Sequence, residues 1–298
     1  MRIGIMGTGW IAEKMAETIR GMENAEAYAV ASRQQEKANA FAQKWRFEKA
    51  YGSYEAMLDD EQVQLVYIAT PHSQHYENAK QCLLKGKPVL CEKAFTANAR
   101  QAEEILNLAK EKNVFVAEAI WTRYMPLSRT INEILDSGII GEPVILSANL
   151  GYPIGGKERS KQPALAGGAL LDLGVYPINF ASMVFGAEVE QVVSSCTKMD
   201  TGVDAQNSIT LTFKGGRMAV LHSSMCAQTD RQGIISGEKG HLIVENINNP
   251  QRVIVVTNDY EVVARYDCPV QITGYEYEVY ASIEAIQNGW LESPYMPH

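Results

Sequence analysis

A charged pair stands directly after a short apolar run, in the segment Cys91-Glu92-Lys93-Ala94. A lysine at the end of a buried strand can point into a cleft, where it would stabilise negative charge that develops on a substrate oxygen. Glu92 and Lys93 can also form a structural ion pair at the strand terminus. The residues alone leave both interpretations open.

A second group of candidate functional residues lies between Gly167 and Pro177. Asp172 and Tyr176 are four residues apart, so on a helix they share one face. Gly174 and Pro177 are unfavourable inside a helix, and such local conflicts are more frequent at functional sites than elsewhere. Asp172 and Tyr176 are therefore candidates for chemistry, and the structural alternative is a helix cap by Asp172 beside a half-buried tyrosine.

The chain opens on an apolar run that leads into a Gly-x-Gly-x-x-Ala turn. The first glycine allows a tight turn, the second lets the backbone approach a pyrophosphate, and the alanine lets the next helix pack close to the strand. An apolar strand precedes this turn and a helical pattern follows it, which is the context of a dinucleotide-binding loop. The predicted cofactor contacts here are Gly7, Thr8, Gly9, Trp10, Ile11 and Ala12.

The residues that end the second apolar run, Ser32-Arg33, face the adenosine ribose in a dinucleotide fold. An acidic residue at this place selects NAD, whereas Arg33 can bind a 2′-phosphate in bidentate fashion and the Ser32 hydroxyl adds a donor. We therefore predict NADP as the cofactor, with NAD the weaker choice. A solvated surface arginine is the alternative for Arg33.

A further strand end reads Thr70-Pro71-His72, and His75 follows in the next helix. Loops at the carboxyl ends of parallel strands bind ligands, so these four residues are predicted cofactor contacts. His72 can contact the nicotinamide half of the cofactor or only cap the helix, and both remain open. No third ligand lies nearby in sequence, so no metal site is predicted.

These residues need a βαβ framework to bring them together. Up to residue 121, short apolar runs alternate with segments of helical length, which predicts an N-terminal Rossmann doubly wound parallel sheet over 1–121. Residues 122–298 begin with helices and a glycine-rich loop and continue as short strands, which predicts an α+β domain with an open, mainly antiparallel sheet. The predicted strands of the first domain are Ile3–Met6, Ala27–Ala31, Leu65–Ala69, Val89–Cys91 and Val114–Ala117.

Composition narrows the class of protein. The chain has 298 residues, 46% of them hydrophobic, and a net charge of -8 without a basic run, so disorder and nucleic-acid binding are disfavoured. Its five cysteines form no C-x-x-C pair, which argues against a disulfide framework or a zinc site. No signal peptide and no 18-residue apolar run are apparent, so we expect a cytoplasmic protein without a membrane span.

The glycine turn, the Glu92-Lys93 pair and the Gly-Gly-x-x-x-x-Asp-x-x-x-Tyr pattern together resemble the Gfo/Idh/MocA oxidoreductase family over essentially the whole chain. The segments 118–123 and 168–176 look most like the branch of dimeric dihydrodiol dehydrogenases and NADP-dependent D-xylose dehydrogenases. Most relatives have histidine where this chain has Tyr176, whereas that branch has tyrosine.

The resemblance implies a Rossmann domain and an α+β domain whose open sheet forms a homodimer interface. It also implies that Lys93 and Tyr176 converge on the substrate hydroxyl or carbonyl, with Asp172 nearby and Trp121 lining the pocket beside the cofactor. The family motif is Glu-Lys-Pro, but Ala94 replaces the proline, so we expect a trans Lys93–Ala94 bond. Relatives usually continue into a final helix, which we expect beyond residue 298.

The resemblance therefore implies hydride transfer between NADP(H) and a sugar, diol or related hydroxyl or carbonyl compound. A phenol has a pKa near about 10, and a neighbouring ammonium group lowers it, so Tyr176 would act as acid/base with the help of Lys93. Two other functions stay open. One is a ligand sensor that binds nicotinamide without turnover, and the other is a redox-neutral enzyme that keeps NAD(P) tightly bound.

Overall fold

The computed structural model describes residues 1–298, and the chain divides into two compact units. The first unit comprises Met1–Trp121 and Gln271–His298. The second unit comprises Thr122–Val270. The sequence-based second domain, 122–298, thus differs from the compact unit at its end, because residues 271–298 pack with the first unit.

The first unit is built on a six-stranded sheet in which all strands are parallel and the order is β3-β2-β1-β4-β5-β6. The predicted doubly wound parallel sheet is confirmed. The third strand is only three residues long, which is too short to give a sequence pattern, and it was not predicted. The strands are β1 (Arg2–Met6), β2 (Glu26–Ala31), β3 (Lys49–Tyr51), β4 (Leu65–Ile68), β5 (Val89–Glu92) and β6 (Val116–Ala119).

Helices connect these strands and cover both faces of the sheet, so the core lies in two clusters, one on each side. Strand β4 is completely buried, as expected for a central strand of a parallel sheet. The helices are α1 (Trp10–Arg20), α2 (Gln35–Trp45), α3 (Tyr54–Leu58), α4 (His72–Leu84) and α5 (Ala99–Lys112), followed by a 3₁₀ turn (Trp121–Tyr124).

The second unit contains an eight-stranded sheet in the order β14-β13-β12-β11-β7-β10-β9-β8. All neighbouring strands are antiparallel except β7 and β10, so the predicted mainly antiparallel sheet is confirmed. Its helices are α6 (Pro126–Asp136), α7 (Glu158–Lys161) and α8 (Val175–Phe185), the last preceded by a π-helical turn (Leu170–Gly174). The strands are β7 (Pro143–Gly151), β8 (Val189–Lys198), β9 (Asp204–Phe213), β10 (Met218–Ser224), β11 (Gly233–Gly237), β12 (Gly240–Glu245), β13 (Arg252–Thr257) and β14 (Val262–Asp267).

The last helix, α9 (Glu276–Gln287), explains why the end of the chain belongs to the first unit. Its residues Val279, Ile283 and Ala285 are buried in the same apolar cluster as the first strand. This helix was not predicted from the sequence.

The segment Pro163–Phe185 is long and apolar enough to cross a membrane by length and composition alone, with a mean hydropathy of 1.3. The expectation that no such run exists is therefore wrong. However, 61% of this window is buried inside the protein, and α8 packs on β7 and β10. A core helix passes the same test, and its packing accounts for the apolar character.

On one face of the second sheet, a partly exposed row of residues, five of them aliphatic, crosses all eight strands. The strand register aligns these residues, and alternate positions point to the opposite, buried face. Strand β8, at one edge, is exposed along its whole length. The row consists of Val193, Thr210, Val220, Ser147, Ile234, Ile243, Ile254 and Arg265.

Candidate functional site

The glycine turn after β1 leaves the start of α1 open. Gly7 has φ +109°, and a Cβ there would lie 2.7 Å from the carbonyl oxygen of Ala69, so only glycine is accommodated. A Cβ on Gly9 would meet nothing within 4 Å, and no side chain caps the helix. Unpaired N–H groups at a helix start bind phosphate, so this turn suits a pyrophosphate.

The other residues of this turn differ in exposure. Ala12 is fully buried and allows the helix to pack against the sheet, whereas Trp10 is 67% exposed. Thr8 and Ile11 are half-buried. The backbone of the turn, rather than any buried polar side chain, therefore offers the contacts to a ligand.

Arg33 lies exposed at the end of β2, beside a groove of about 590 Å³. Ser32 is buried, and its hydroxyl accepts a long hydrogen bond from the backbone of Gln34 at 3.4 Å. Tyr54 in α3 also lines the groove. Burial raises the pKa of Tyr54 and the charge of Arg33 opposes this, so the two side chains lie near enough to interact electrostatically. Sequence reasoning identified Arg33 and missed Tyr54, which stands twenty-one positions further along the chain.

The loop after β4 is held by the helix that follows it. His75 is completely buried, with Nε2 2.8 Å from the carbonyl oxygen of Thr70 and Nδ1 2.8 Å from that of Ala94. Burial lowers the pKa of His75. A neutral ring donates one of these bonds, and an imidazolium would donate both. Both nitrogens of His75 face backbone carbonyls, so the ring can hold the backbone of the two loops that carry these carbonyls.

His72 is half-buried and its ring stands edge-on to that of His75, with centroids 5.6 Å apart. It is the first residue of α4, and Pro71 precedes the helix. Thr70 is almost fully buried, and its hydroxyl accepts a 3.0 Å hydrogen bond from Asn78.

Glu92 is buried at the end of β5, and each of its two carboxyl oxygens accepts a hydrogen bond. Oε1 accepts from the hydroxyl of Tyr67, and Oε2 accepts from the backbone N–H of Lys93 at 3.2 Å. Burial raises the pKa of Glu92 to about 7, while the charge of Lys93 and the bond from Tyr67 act in the opposite direction. The charges of Glu92 and Lys93 therefore attract each other.

The Lys93–Ala94 peptide bond is cis, so the expectation of a trans bond is wrong. Contacts remote in sequence hold the backbone here. The Ala94 carbonyl lies against His75, and the N–H of Phe95 donates to Oε1 of Glu118 in β6 at 2.9 Å. Proline is therefore not required at residue 94 for this backbone geometry.

A second buried carboxyl, Glu278 of α9, was missed by sequence reasoning. It is completely buried and neither of its oxygens has a hydrogen-bond partner. Burial and the nearby charge of Glu92 raise its pKa well above the usual range. Two neighbouring buried carboxyls cannot both ionise at low cost, so Glu278 is the protonated member of the pair.

Trp121 stacks on Tyr275, with ring centroids 4.2 Å apart and an interplanar angle of 11°. Its indole Nε1 is buried and has no acceptor within the protein. Buried indole N–H groups normally have a partner, so this donor is an exception within the protein. The contribution of Tyr275 could not be read from the sequence, because the two rings are separated by the whole second unit.

In the second unit, Asp172 is anchored rather than free. Its Oδ2 accepts from Nη1 of Arg159 at 2.7 Å and from the Ser160 hydroxyl at 3.2 Å. The N-cap position of this helical segment is Ala169, and the N–H of Leu170 donates to Oδ2 of Asp204 at 2.6 Å. The alternative in which Asp172 is the helix cap is therefore wrong.

Tyr176 is buried in the first turn of α8, directly after the π-helical turn that contains Asp172. Gly168, with φ +124°, precedes this turn, and a Cβ on it would lie 2.1 Å from Oδ1 of Asp204. Glycine is thus required where the loop enters the helix. Arg159, Ser160 and Asp204 have no local signal in the sequence that could have identified them.

Comparison with protein families and known proteins gives consistent matches along the chain. Residues 1–119 match the Gfo/Idh/MocA oxidoreductase family model with an NAD-binding Rossmann fold, and residues 128–243 match the Gfo/Idh/MocA C-terminal domain. A trans-1,2-dihydrobenzene-1,2-diol dehydrogenase from Mus musculus is 33% identical, over 100% of this chain and 91% of the relative. The same enzyme from Xenopus laevis is 35% identical, over 98% and 91% of the two chains.

Among solved structures, KijD10, a 3-ketoreductase from Actinomadura kijaniata in complex with NADP and TDP-benzene, is similar with a TM-score of 0.88. It is 27% identical, and the match covers 97% of this chain and 90% of that one.

The raised pKa of Glu92 predicts a pH-dependent stability. Between the usual glutamate pKa of about 4.3 and the folded value of about 7, the folded state binds more protons than the unfolded state, so the free energy of unfolding falls as pH rises. Glu92→Gln keeps the acceptor for Tyr67 but no longer titrates. We expect the free energy of unfolding of this variant to fall less steeply with pH, by about 1.4 kcal/mol per pH unit.

Urea unfolding from pH 5 to 8 measures this slope, with the exposed Glu103→Gln as control. Equal slopes in all three proteins would contradict it.

Proposed function

Because the chain belongs to the Gfo/Idh/MocA oxidoreductase family, we propose that it transfers a hydride between NADP(H) and a sugar, diol or related hydroxyl or carbonyl compound. The observation that carries this proposal is the open turn at Gly7 and Gly9, next to a buried strand and an exposed arginine, in a chain similar to dihydrodiol dehydrogenases. The similarity to a 3-ketoreductase in complex with NADP supports the same class of reaction.

The cofactor would be held by the first unit. The N–H groups at the start of α1 bind the pyrophosphate, and Arg33 pairs with the 2′-phosphate beside Tyr54. The indole N–H of Trp121 is a further donor without a protein partner. When bound, the nicotinamide ring supplies the hydride acceptor or donor.

Tyr176 moves the proton in this proposal. In the oxidation direction its phenolic oxygen takes the hydroxyl proton of the substrate, and in the reduction direction it returns a proton to the carbonyl oxygen. The ammonium group of Lys93 stabilises the phenolate and the developing oxyanion.

Asp172 has an orienting role in this proposal. Its carboxylate already accepts from Arg159 and Ser160, so it is held as an anion and its position is fixed. A carboxylate stabilised in this way is a poor proton acceptor, which leaves proton transfer to Tyr176 in the same helical segment.

Tyr176→Phe should lower kcat by roughly 10²- to 10⁴-fold and leave NADP affinity nearly unchanged, because the ring remains and the proton is lost. Lys93→Met should also lose activity, and the double variant should cost far less than the product of the singles if the two residues act as a unit. The measurement is turnover with a panel of aldoses, diols and carbonyl compounds, followed at the nicotinamide absorbance. The exposed Tyr260→Phe is the control.

Near-normal turnover of Tyr176→Phe on its best substrate would refute the acid/base role, and His72 would be the next residue to substitute. Absence of turnover with every compound in the wild type would instead favour a nicotinamide-dependent sensor.

Arg33→Asp should weaken NADP binding and relatively improve NAD, because it removes the partner of the 2′-phosphate and offers an acceptor to the 2′-hydroxyl. The loss of one charge-assisted pair corresponds to a change of about tenfold to a hundredfold in the preference for NADP over NAD. The readout is kcat/KM with each cofactor, with the exposed Arg20→Asp at the end of α1 as control. An unchanged ratio would mean that Arg33 is a surface residue without this role.

We further propose that two copies associate through the partly exposed row on the second sheet, in which five of the eight residues are aliphatic. Val220 lies in the middle of this row and is 45% exposed, so a charge there would have to be desolvated in a dimer. Val220→Lys should convert a dimer into a monomer of 33.0 kDa. Ile139→Lys, 46% exposed and off the sheet, is the control. Light scattering that finds a monomeric wild type at micromolar concentration would overturn this proposal.

A further inference from the structure

The backbone turn that follows β5, residues 93–95, is held by side chains on both sides. On one side, the carbonyl oxygen of Ala94 lies 2.8 Å from Nδ1 of His75 in α4. On the other side, the N–H of Phe95 donates to Oε1 of Glu118 in β6 at 2.9 Å. The 93–95 turn thus contacts helix α4 on one side and strand β6 on the other.

His75 is itself fixed. Its ring is completely buried, and Nε2 lies 2.8 Å from the carbonyl oxygen of Thr70 at the end of β4. The hydroxyl of Thr70 accepts from Asn78, one turn further along α4. One imidazole ring therefore lies between the ends of two adjacent parallel strands, and a neutral ring donates to Ala94 when Nδ1 carries its proton.

The 93–95 turn needs such support. Ala94 has no ring to restrict φ and no polar side chain, so nothing in the turn's own residues fixes its backbone. Lys93 carries its charge at the end of a flexible side chain, and the direction in which this side chain leaves the chain depends on the backbone of residue 93. Displacing a reacting group by about 1 Å can cost about 10²-fold in rate.

We propose that His75 and Glu118 are positioning residues that direct Lys93 by holding the backbone of the 93–95 turn. This inference rests on the proposed role of Lys93 in proton transfer. Neither residue needs to touch substrate or cofactor, and each acts through one backbone group of the turn.

A matched pair of variants tests His75. In His75→Asn the amide nitrogen takes the place of Nδ1 and can still donate to Ala94, whereas in His75→Gln it takes the place of Nε2 and can donate only to Thr70. We expect His75→Asn to keep kcat within about threefold and His75→Gln to lose it by about 10- to 100-fold, with NADP affinity unchanged in both. Equal kcat in the two variants would overturn the role of the Ala94 contact.

A second pair tests Glu118 and remains informative if the His75 variants fail to fold. Glu118→Gln keeps an oxygen that accepts from Phe95, and Glu118→Met has a similar size without an acceptor. We expect near-normal kcat in Glu118→Gln and a loss of about tenfold or more in Glu118→Met, at the same NADP affinity. Similar activity of the two variants would show that the Phe95 contact does not position Lys93.

A readout independent of activity separates this inference from the proposed function. Reductive methylation with ¹³C-formaldehyde labels the lysines, and the NMR signal of Lys93 is assigned by its loss in Lys93→Met. We expect this signal to move in His75→Gln and Glu118→Met but not in the conservative partners. An unmoved signal in all four would overturn the positioning role. Normal turnover of Lys93→Met would instead refute the catalytic role of Lys93, while the NMR comparison still decides the positioning.

Discussion

The carboxyl ends of the parallel strands share one edge of the first sheet, and the arrangement of the candidate site depends on this constraint. A parallel strand can follow another only through a crossover, so the loops that leave all six strands lie on the same side. Residues far apart in sequence thereby come to one edge, where ligands bind in such sheets. In strand order along the chain, Gly7 follows β1, Arg33 follows β2, Thr70 follows β4, Lys93 follows β5 and Trp121 follows β6.

Two glutamates of α9 show how differently burial can be accommodated within one helix. Glu276 accepts from three consecutive backbone N–H groups, those of Ile272, Thr273 and Gly274, at 2.7 to 3.0 Å. Its charge is thus compensated where the chain enters the helix. Glu278, two residues later, has no such donors and lies near Glu92, so it is accommodated as a neutral acid.

The sequence predicted the sheets, most of the elements and the residues at strand ends, because these follow local patterns. Apolar periodicity located β1, β2, β4, β5 and β6, and the glycine spacing located the turn at Gly7. The strand β3 was missed because three residues are too short to show a pattern, and the helix α9 was missed although Val279, Ile283 and Ile286 have helical spacing. The site partners Tyr54, Tyr275 and Arg159 were missed because what matters about them is a contact with a residue distant in sequence. The geometry at Ala94 likewise depends on bonds from α4 and β6.

The chain leaves the first unit after Trp121 and returns to it at Gln271, so the second unit is inserted into the first. During synthesis on a ribosome, all residues of the second unit emerge before the first unit can be completed. Until then, the nucleotide-binding sheet lacks the packing of Val279 and Ile283 from α9. It also lacks the ring of Tyr275, which stacks on Trp121. The first unit therefore begins before the second and is completed after it, and a nascent chain gains the full core of its dinucleotide-binding domain only when α9 has been made.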